Sequence, residues 1–391
     1  MPEYKILVPP PRRRRTTWVT WIVVVIVAAG AGGAYIAVRH KQDDHHPGST
    51  RGGRSGDTVA ARPLAVVSTT PATGATDVPS TQVVTVHLSL AVAGTEGMPM
   101  FSPPVSGSWT QTGPKTLAFR ATAPFIPTST ETLVVPAGAS GPHSTDGKVL
   151  RAPVTITFVV AQAGTERLQQ LLALLNYLPL SFTPAGPLPS PTAALTAQAG
   201  TFAWRWPGTP SSLTSLWSEG YENVITKGAV MDFENQNGLT VDGLAGTHVW
   251  SALLADLAAG KVDTEPYTYV FVTKQLPETL TLYENGNPVL QDIRVNTGAP
   301  GADTTDGTYP VFEHVVSSRM QGTNPDGSTY DDPAVPWASF FLGGDALHGF
   351  VRATYGSPQS NGCVEMPIAT AAQVWPLSPI GTLVTVVGPA S

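Results

Sequence analysis

The sequence predicts a multidomain, mainly β chain: an N-terminal transmembrane helix, a β-sandwich, a small helical unit and a C-terminal β-rich unit. Three observations carry that prediction. Glycine (38) and proline (37) are abundant among 391 residues while charged residues make up only 13%, a balance that favours strands joined by turns. Residues 18–38 carry no charge. Apolar residues recur with a period of two in 63–161 and again in 262–388, with a helical period between them in 162–260.

The N-terminal elements come first. Residues 1–17 form a basic head that includes Arg12–Arg15. The run WVTWIVVVIVAAGAGGAYIAV, residues 18–38, is 21 residues long, enough to span a hydrocarbon core of about 30 Å as a helix. Cationic residues ahead of such a run hold the N-terminus on the cytoplasmic side, so the remainder is expected outside the cell membrane as the body of a single-pass protein. A cleaved signal peptide is the competing reading, because Ala28–Ala34 is rich in small residues. Residues 39–62 are polar and aperiodic, as a flexible linker would be. The pair His45–His46 lies there with no third ligand nearby and reads as solvated linker.

Net charge follows the same division. Residues 1–41 hold seven Lys/Arg and one acid, which leaves the rest of the chain at a formal −12. An acidic body argues against nucleic acid as a partner, since phosphates require a basic surface.

Residues 63–161 contain strand candidates at 83–90, 116–120, 132–135 and 154–160, separated by turn clusters such as Pro71-Ala72-Thr73-Gly74 and Asp146-Gly147. That spacing suggests a sandwich. The stretches TTPATGATDVPSTQVVTVHLS and DGKVLRAPVTITFVV resemble bacterial Ig-like domains, and the expected role is a spacer. Residues 162–260 change to helical signals in RLQQLLALL, AVMDFENQNG and HVWSALL, with Ala229, Val230, Phe233, Val249, Leu253 and Leu254 facing inward. This segment resembles the small helical peptidoglycan-binding domain, although the stretch between its first two helices is longer than that family has. Phe202, Trp204, Trp206 and Trp217 in that stretch read equally as core and as glycan-stacking rings.

Residues 262–388 form the last unit. Strand candidates at 268–272, 279–283 and 288–295 lead it, and 382–387 ends it. Glu284-Asn285-Gly286-Asn287 suits a hairpin turn, because Asn-Gly accepts the positive φ angles such turns need.

Cys363 is the lone cysteine of the chain. One cysteine excludes an intramolecular disulfide framework, and a free thiol outside the cell is open to oxidation. A buried, inert cysteine is its bland alternative. The surrounding sequence, ALHGFVRATYGSPQSNGCVEMP, places His348-Gly349 fifteen residues before the thiol and Ser360-Asn361-Gly362 directly ahead of it. A thiol that attacks a carbonyl needs an imidazole to take its proton and return it to the leaving amine. Gly362 lets the backbone approach a substrate. By chemistry alone this pairing stays open, since a lone histidine is more often structural.

The pattern His-Gly, a gap of about fifteen residues, then Ser-x-Gly-Cys resembles the catalytic domain of L,D-transpeptidases of the YkuD type. Thr305–Val311 and Val335–Phe341 match further elements of that family. The resemblance implies Cys363 as nucleophile, His348 as general base and acid, the Gly349 carbonyl as the group that orients the imidazole, and the Gly362 and Cys363 N–H groups as oxyanion donors. It makes Ser360 a support for the loop. Tyr309, Trp337, Asn361 and Tyr355 become candidate substrate-binding residues. Asp306 stands in place of the family's proline, and two positions beside the thiol depart from it as well: Asn361 replaces its second histidine, and Glu365 replaces the Arg or Asn often found there. An acid beside Cys363 raises the thiol pKa unless it points away. Arg352 and Arg319 are candidates for a substrate carboxylate, with solvated surface arginine as the default.

The implied reaction is formation of 3→3 cross-links in peptidoglycan through a cysteine thioester, with release of D-alanine from a tetrapeptide stem. It needs no cofactor and no metal. Peptidoglycan stem peptides and glycan are the implied partners, and β-lactams of the carbapenem type the implied inhibitors. The alternatives are an inactive wall-binding protein and an L,D-carboxypeptidase-type hydrolase.

Overall fold

The computed structural model describes residues 62–94, 96–187 and 194–389. The expected anchor at 18–38, the basic head and all but the last residue of the linker lie outside the described residues. Among the described residues no helix is long and apolar enough to cross a membrane.

The first unit is a two-sheet sandwich. Its strands are β1 (Val66–Thr70), β2 (Ala75–Val78), β3 (Val84–Leu88), β4 (Met100–Phe101), β5 (Gly107–Gly113), β6 (Thr116–Ala121), β7 (Thr130–Val135) and β8 (Val154–Val160). They order as β1-β3-β6-β5 and β2-β8-β7-β4. Strict alternation drives this arrangement: Val84, Val86 and Leu88 of β3 are buried, as are Ile156, Phe158 and Val160 of β8. Each strand turns one face inward, and two such faces close on each other. Phe125 sits edge-on to Phe158 (5.6 Å) and tilted against Phe101 (5.6 Å) at the centre.

The helical unit holds α1 (Thr165–Leu174), α2 (Ser211–Thr214), α3 (Val224–Gln236) and α4 (Thr247–Ala259). Asn223 starts α3 by accepting the Thr226 N–H at 2.9 Å. Gly260, at φ 64°, ends α4 in the left-handed conformation. The long stretch after α1 forms an antiparallel hairpin, β9 (Leu180–Pro184) with β10 (Gly200–Trp204), that helical periodicity does not announce. Phe202 packs on Phe182 (5.0 Å) and Trp217 (5.2 Å), so these rings, with Trp204, belong to the helical core.

The last unit has two sheets. One orders as β13-β12-β11-β19-β14, from β11 (Thr268–Thr273), β12 (Thr279–Glu284), β13 (Asn287–Arg294), β14 (Gly307–Pro310) and β19 (Leu383–Val387). The other orders as β15-β16-β17-β18, from β15 (Glu313–Thr323), β16 (Thr329–Leu342), β17 (Asp345–Gly349) and β18 (Val364–Met366). Val270, Leu282 and Val384 of the first sheet share a core with Phe341, Leu347 and Val364 of the second. A short helix, α5 (Ile368–Val374), packs behind β17. The hairpin turn between β12 and β13 has Asn285 at φ 50° and Gly286 at φ 73°, as the Asn-Gly pair requires.

The helical unit shares a core with this last unit: Tyr269 and Leu383 lie in one cluster with Leu171, Phe233 and Trp250. One close approach is backbone to backbone. A Cβ at Gly228 of α3 would lie 2.7 Å from the Gly381 carbonyl oxygen, and one at Gly381 would lie 2.7 Å from the Gly228 carbonyl oxygen. Substituting Gly228→Val is therefore expected to destabilise the protein by about 1–3 kcal/mol through overpacking. The exposed control Gly186→Ala, with nothing within 4 Å of the added carbon, should leave the melting temperature unchanged. Equal melting temperatures for both variants would contradict the shared core.

Candidate active site

The site grows from the pairing of β17 with β18. The two strands run parallel, with Leu347 opposite Val364, His348 opposite Glu365 and Gly349 opposite Met366. Opposed residues face the same side of a sheet, and residues two apart in a strand do so as well. His348 and Glu365 therefore share one face, and Cys363, one residue ahead of β18, lines the same cleft. The fifteen residues from His348 to Cys363 return as a parallel crossover loop.

That loop is tied down along its length. The Gly356 N–H donates to the Asn296 side chain at 3.0 Å. The Gln359 and Ser360 N–H groups donate to the Thr297 carbonyl at 2.8 and 2.9 Å. Thr297 is in turn held by Glu278, a buried carboxylate that accepts its N–H and its hydroxyl, each at 2.7 Å. Thr304, fully buried, donates its hydroxyl to the Gly362 carbonyl at 2.7 Å and accepts the Gly298 N–H at 2.9 Å. Ser360 donates to the Cys363 carbonyl at 2.6 Å and accepts the Gly362 N–H at 3.2 Å.

Gly362 has φ 113°, which L side chains rarely adopt, and a Cβ there would lie 2.3 Å from an Asp345 carboxylate oxygen. Its N–H is engaged by Ser360. This corrects the expectation that Gly362 presents a free oxyanion donor: its donor is spent inside the loop.

His348 is buried, and its Nδ1 lies 3.2 Å from the Gly349 carbonyl oxygen. A carbonyl only accepts, so Nδ1 carries the proton and Nε2 is left as the basic nitrogen. Burial pushes the imidazole pKa below its ordinary value. The Gly349 bond and Glu365 oppose that shift, while Arg352 adds to it.

Cys363 lies beside the same cleft, and its Sγ donates to the Gly344 carbonyl at 3.6 Å. Burial pushes the thiol up to about 12, against the pull of the Ala346 N–H; Asp345 and Glu365 add smaller upward pushes. Burial also raises Asp345, to about 6. Glu365 does not point away from the thiol. It is buried on the site face, and its charge is held by a two-pronged bond from Arg352, at 2.7 and 2.8 Å. Arg352 also donates to the Gln359 carbonyl and lies 4.7 Å above the Phe350 ring.

His348, Phe350, Arg352, Cys363 and Glu365 line a cleft of about 210 Å³. Its other wall is the long β15–β16 hairpin, which contributes Met320, Asn324, Tyr330 and Asp332. Asn361 lines the cleft and donates its side-chain amide to the Asn324 side chain at the hairpin tip, at 2.6 Å.

Tyr309, Trp337 and Tyr355 do not line the cleft, which corrects their expected place in it. The Tyr309 hydroxyl bonds to the Asp306 carbonyl and its ring packs on Phe341. Trp337, at a left-handed φ of 59°, packs on Trp375 at 5.5 Å. Tyr355 braces the loop, donating to the Phe350 carbonyl at 2.5 Å and accepting the Arg352 N–H at 3.1 Å. Arg319 is committed to Asp331 across the hairpin. The residues that sequence reasoning did not find are Thr304, Glu278, Asp345 and the hairpin wall. Each reaches the site through topology, with no local motif to mark it.

Residues 267–386 match the L,D-transpeptidase catalytic domain, and residues 60–160 match a bacterial Ig-like domain. No curated protein matches the chain. Similar solved structures include an L,D-transpeptidase from Mycobacterium smegmatis, with 12% identity over 83% of this chain and 100% of that one and a TM-score of 0.29. The catalytic domain of the E. faecium L,D-transpeptidase is 23% identical over 32% of this chain and 100% of that one, with a TM-score of 0.28. L,D-transpeptidase 3 from Mycobacterium tuberculosis, in complex with a faropenem-derived adduct, is 13% identical over 82% of this chain and 97% of that one, with a TM-score of 0.29. The chain carries an L,D-transpeptidase catalytic domain at residues 267–386, preceded by a bacterial Ig-like domain at residues 60–160.

Proposed function

We propose that the protein is a peptidoglycan L,D-transpeptidase that forms 3→3 cross-links through a thioester on Cys363. The observation that carries the reading is the cleft beside β17 and β18, lined by both Cys363 and an imidazole whose Nδ1 proton is fixed on the Gly349 carbonyl. His348 Nε2 takes the thiol proton as Sγ attacks the carbonyl of the third stem residue. The C–N bond to the terminal D-alanine then breaks, and the imidazolium returns the proton to the leaving amine. A neighbouring stem's amine resolves the thioester.

The thiol starts with its proton on the Gly344 carbonyl, so a rotation of the Cys363 side chain toward His348 precedes attack. In this resting position burial pushes the thiol up to about 12 and holds its proton; beside His348 the proton passes to Nε2 as the bond to carbon forms. The Cys363 N–H is the remaining backbone donor for the oxyanion. Strained β-lactams of the carbapenem type present an acyl group to the same thiol and are expected inhibitors.

The uncharged run 18–38 and the linker 39–62 support a location for this domain outside the cell membrane, where such a substrate lies. The Ig-like unit acts as a spacer. The helical unit, sharing a core with the catalytic sheet, serves as a buttress.

Two experiments test the reading. Purified protein incubated with tetrapeptide stems should yield 3→3 dimers and free D-alanine, and Cys363→Ala should yield neither; dimers formed by Cys363→Ala would sink the assignment. The second test is the pH profile of thioester formation. Neutral His348 is the active form and its pKa is depressed, so the rate should be lost only as pH falls below the ordinary imidazole value of about 6.5. In Arg352→Gln, Glu365 loses its counter-charge and the imidazole pKa rises, so the acid limb should move to higher pH. An unmoved or lowered limb would contradict the electrostatic account.

A further inference from the structure

Strand β16 carries two adjacent aspartates with different surroundings. Asp331 is exposed and bonds to Arg319 across the hairpin, with Nε to Oδ1 at 2.7 Å. Asp332, one residue on, faces the opposite side by the two-residue strand period. It lines the cleft with Cys363 and His348. Its register partner Met320 and its neighbour two residues back, Tyr330, line the same cleft. Asp332 is half-buried, and among the described residues no hydrogen bond or ion pair holds its carboxylate.

A carboxylate partly withdrawn from water with no partner opposes folding, so stability gives no reason for it. The other charged groups in the cleft are accounted for. Glu365 and Arg352 satisfy each other, and burial keeps His348 neutral near pH 7. Among the residues lining the cleft, Asp332 is the carboxylate with no hydrogen-bond or ion-pair partner among the described residues, and Asp345, raised to about 6 beside Cys363, adds to the negative field there.

We infer that Asp332 is the docking group for a cationic primary amine, the acyl acceptor that resolves the Cys363 thioester. The inference rests on the acyl-transfer reading above. An alkylammonium, with a pKa near 10.4, arrives protonated, and a carboxylate on the hairpin wall raises its concentration beside the thioester. Water carries no charge and gains nothing from Asp332, so the same group biases the thioester toward aminolysis over hydrolysis. The step balances as follows. The ammonium gives one proton to solvent, and the free amine attacks the thioester carbon while His348 Nε2 takes a second proton. The C–S bond then breaks, and the imidazolium protonates the departing Cys363 sulfur. An amide, a free thiol and one released proton result.

The test measures how one thioester partitions between amine and water. The full protein, loaded with a tetrapeptide donor, is given increasing Nα-acetyl-lysine amide as a cationic acceptor probe, and amide and hydrolysed tripeptide are counted. The ratio is independent of how fast the thioester forms. Asp332→Asn should raise the amine concentration for equal partition roughly tenfold, about one charged contact, and Asp332→Glu should recover most of the loss. In the wild type, added salt should raise that concentration too, because screening weakens the attraction; this arm needs no variant to fold. An unchanged partition in Asp332→Asn, or no salt dependence in the wild type, would overturn the inference while leaving the acyl-transfer reading intact. Failure of the wild type to form any thioester would remove that reading, and this inference with it.

Discussion

The parallel pairing of β17 with β18 is the constraint on which the rest of the site depends. It sets His348 opposite Glu365, and Cys363, directly ahead of β18, lines the same cleft. A slip of one residue would send the thiol into the apolar core among Leu347 and Val364. Register is guarded on both sides. Val364, Met366 and Leu347 are committed to the core, and Asn296 exchanges backbone bonds with Glu365. The Glu278–Thr297 and Thr304–Gly362 bonds extend that grip to the loop ahead of the cysteine. These polar groups are buried and satisfied, the condition under which a polar network makes a structure rigid.

Electrostatics in the cleft follow from burial more than from any one neighbour. Burial raises the thiol and lowers the imidazole, which favours the neutral form of each. Glu365, an acid where the family has Arg or Asn, is consistent with this balance because Arg352 carries its counter-charge. The buried pair leaves Arg352 fixed over Phe350 and committed within the site wall.

Much of this was legible in the sequence, for identifiable reasons. Strand β8, helix α1 and the Asn285-Gly286 turn follow local periodicity and local φ preference, which the chain displays residue by residue. His348 and Cys363 are singled out by one short motif, and both line the same cleft. The hairpin β9–β10 was not, because its rings, Phe182 and Phe202, pack into a core supplied by helices. Tyr309, Trp337 and Tyr355 were misplaced because an aromatic residue in a β-rich unit does not disclose which face it takes. Asp332, Thr304 and Glu278 reach the site only through sheet topology, and nothing local sets them apart.

The central claim is that Cys363 becomes acylated with help from His348. Intact-protein mass spectrometry after exposure to a carbapenem tests it most directly. The account predicts a mass gain of one carbapenem, mapped to the Cys363 peptide, formed quickly by the wild type and much more slowly by His348→Ala. A protein that keeps its native mass, or an adduct that maps to another residue, would contradict it.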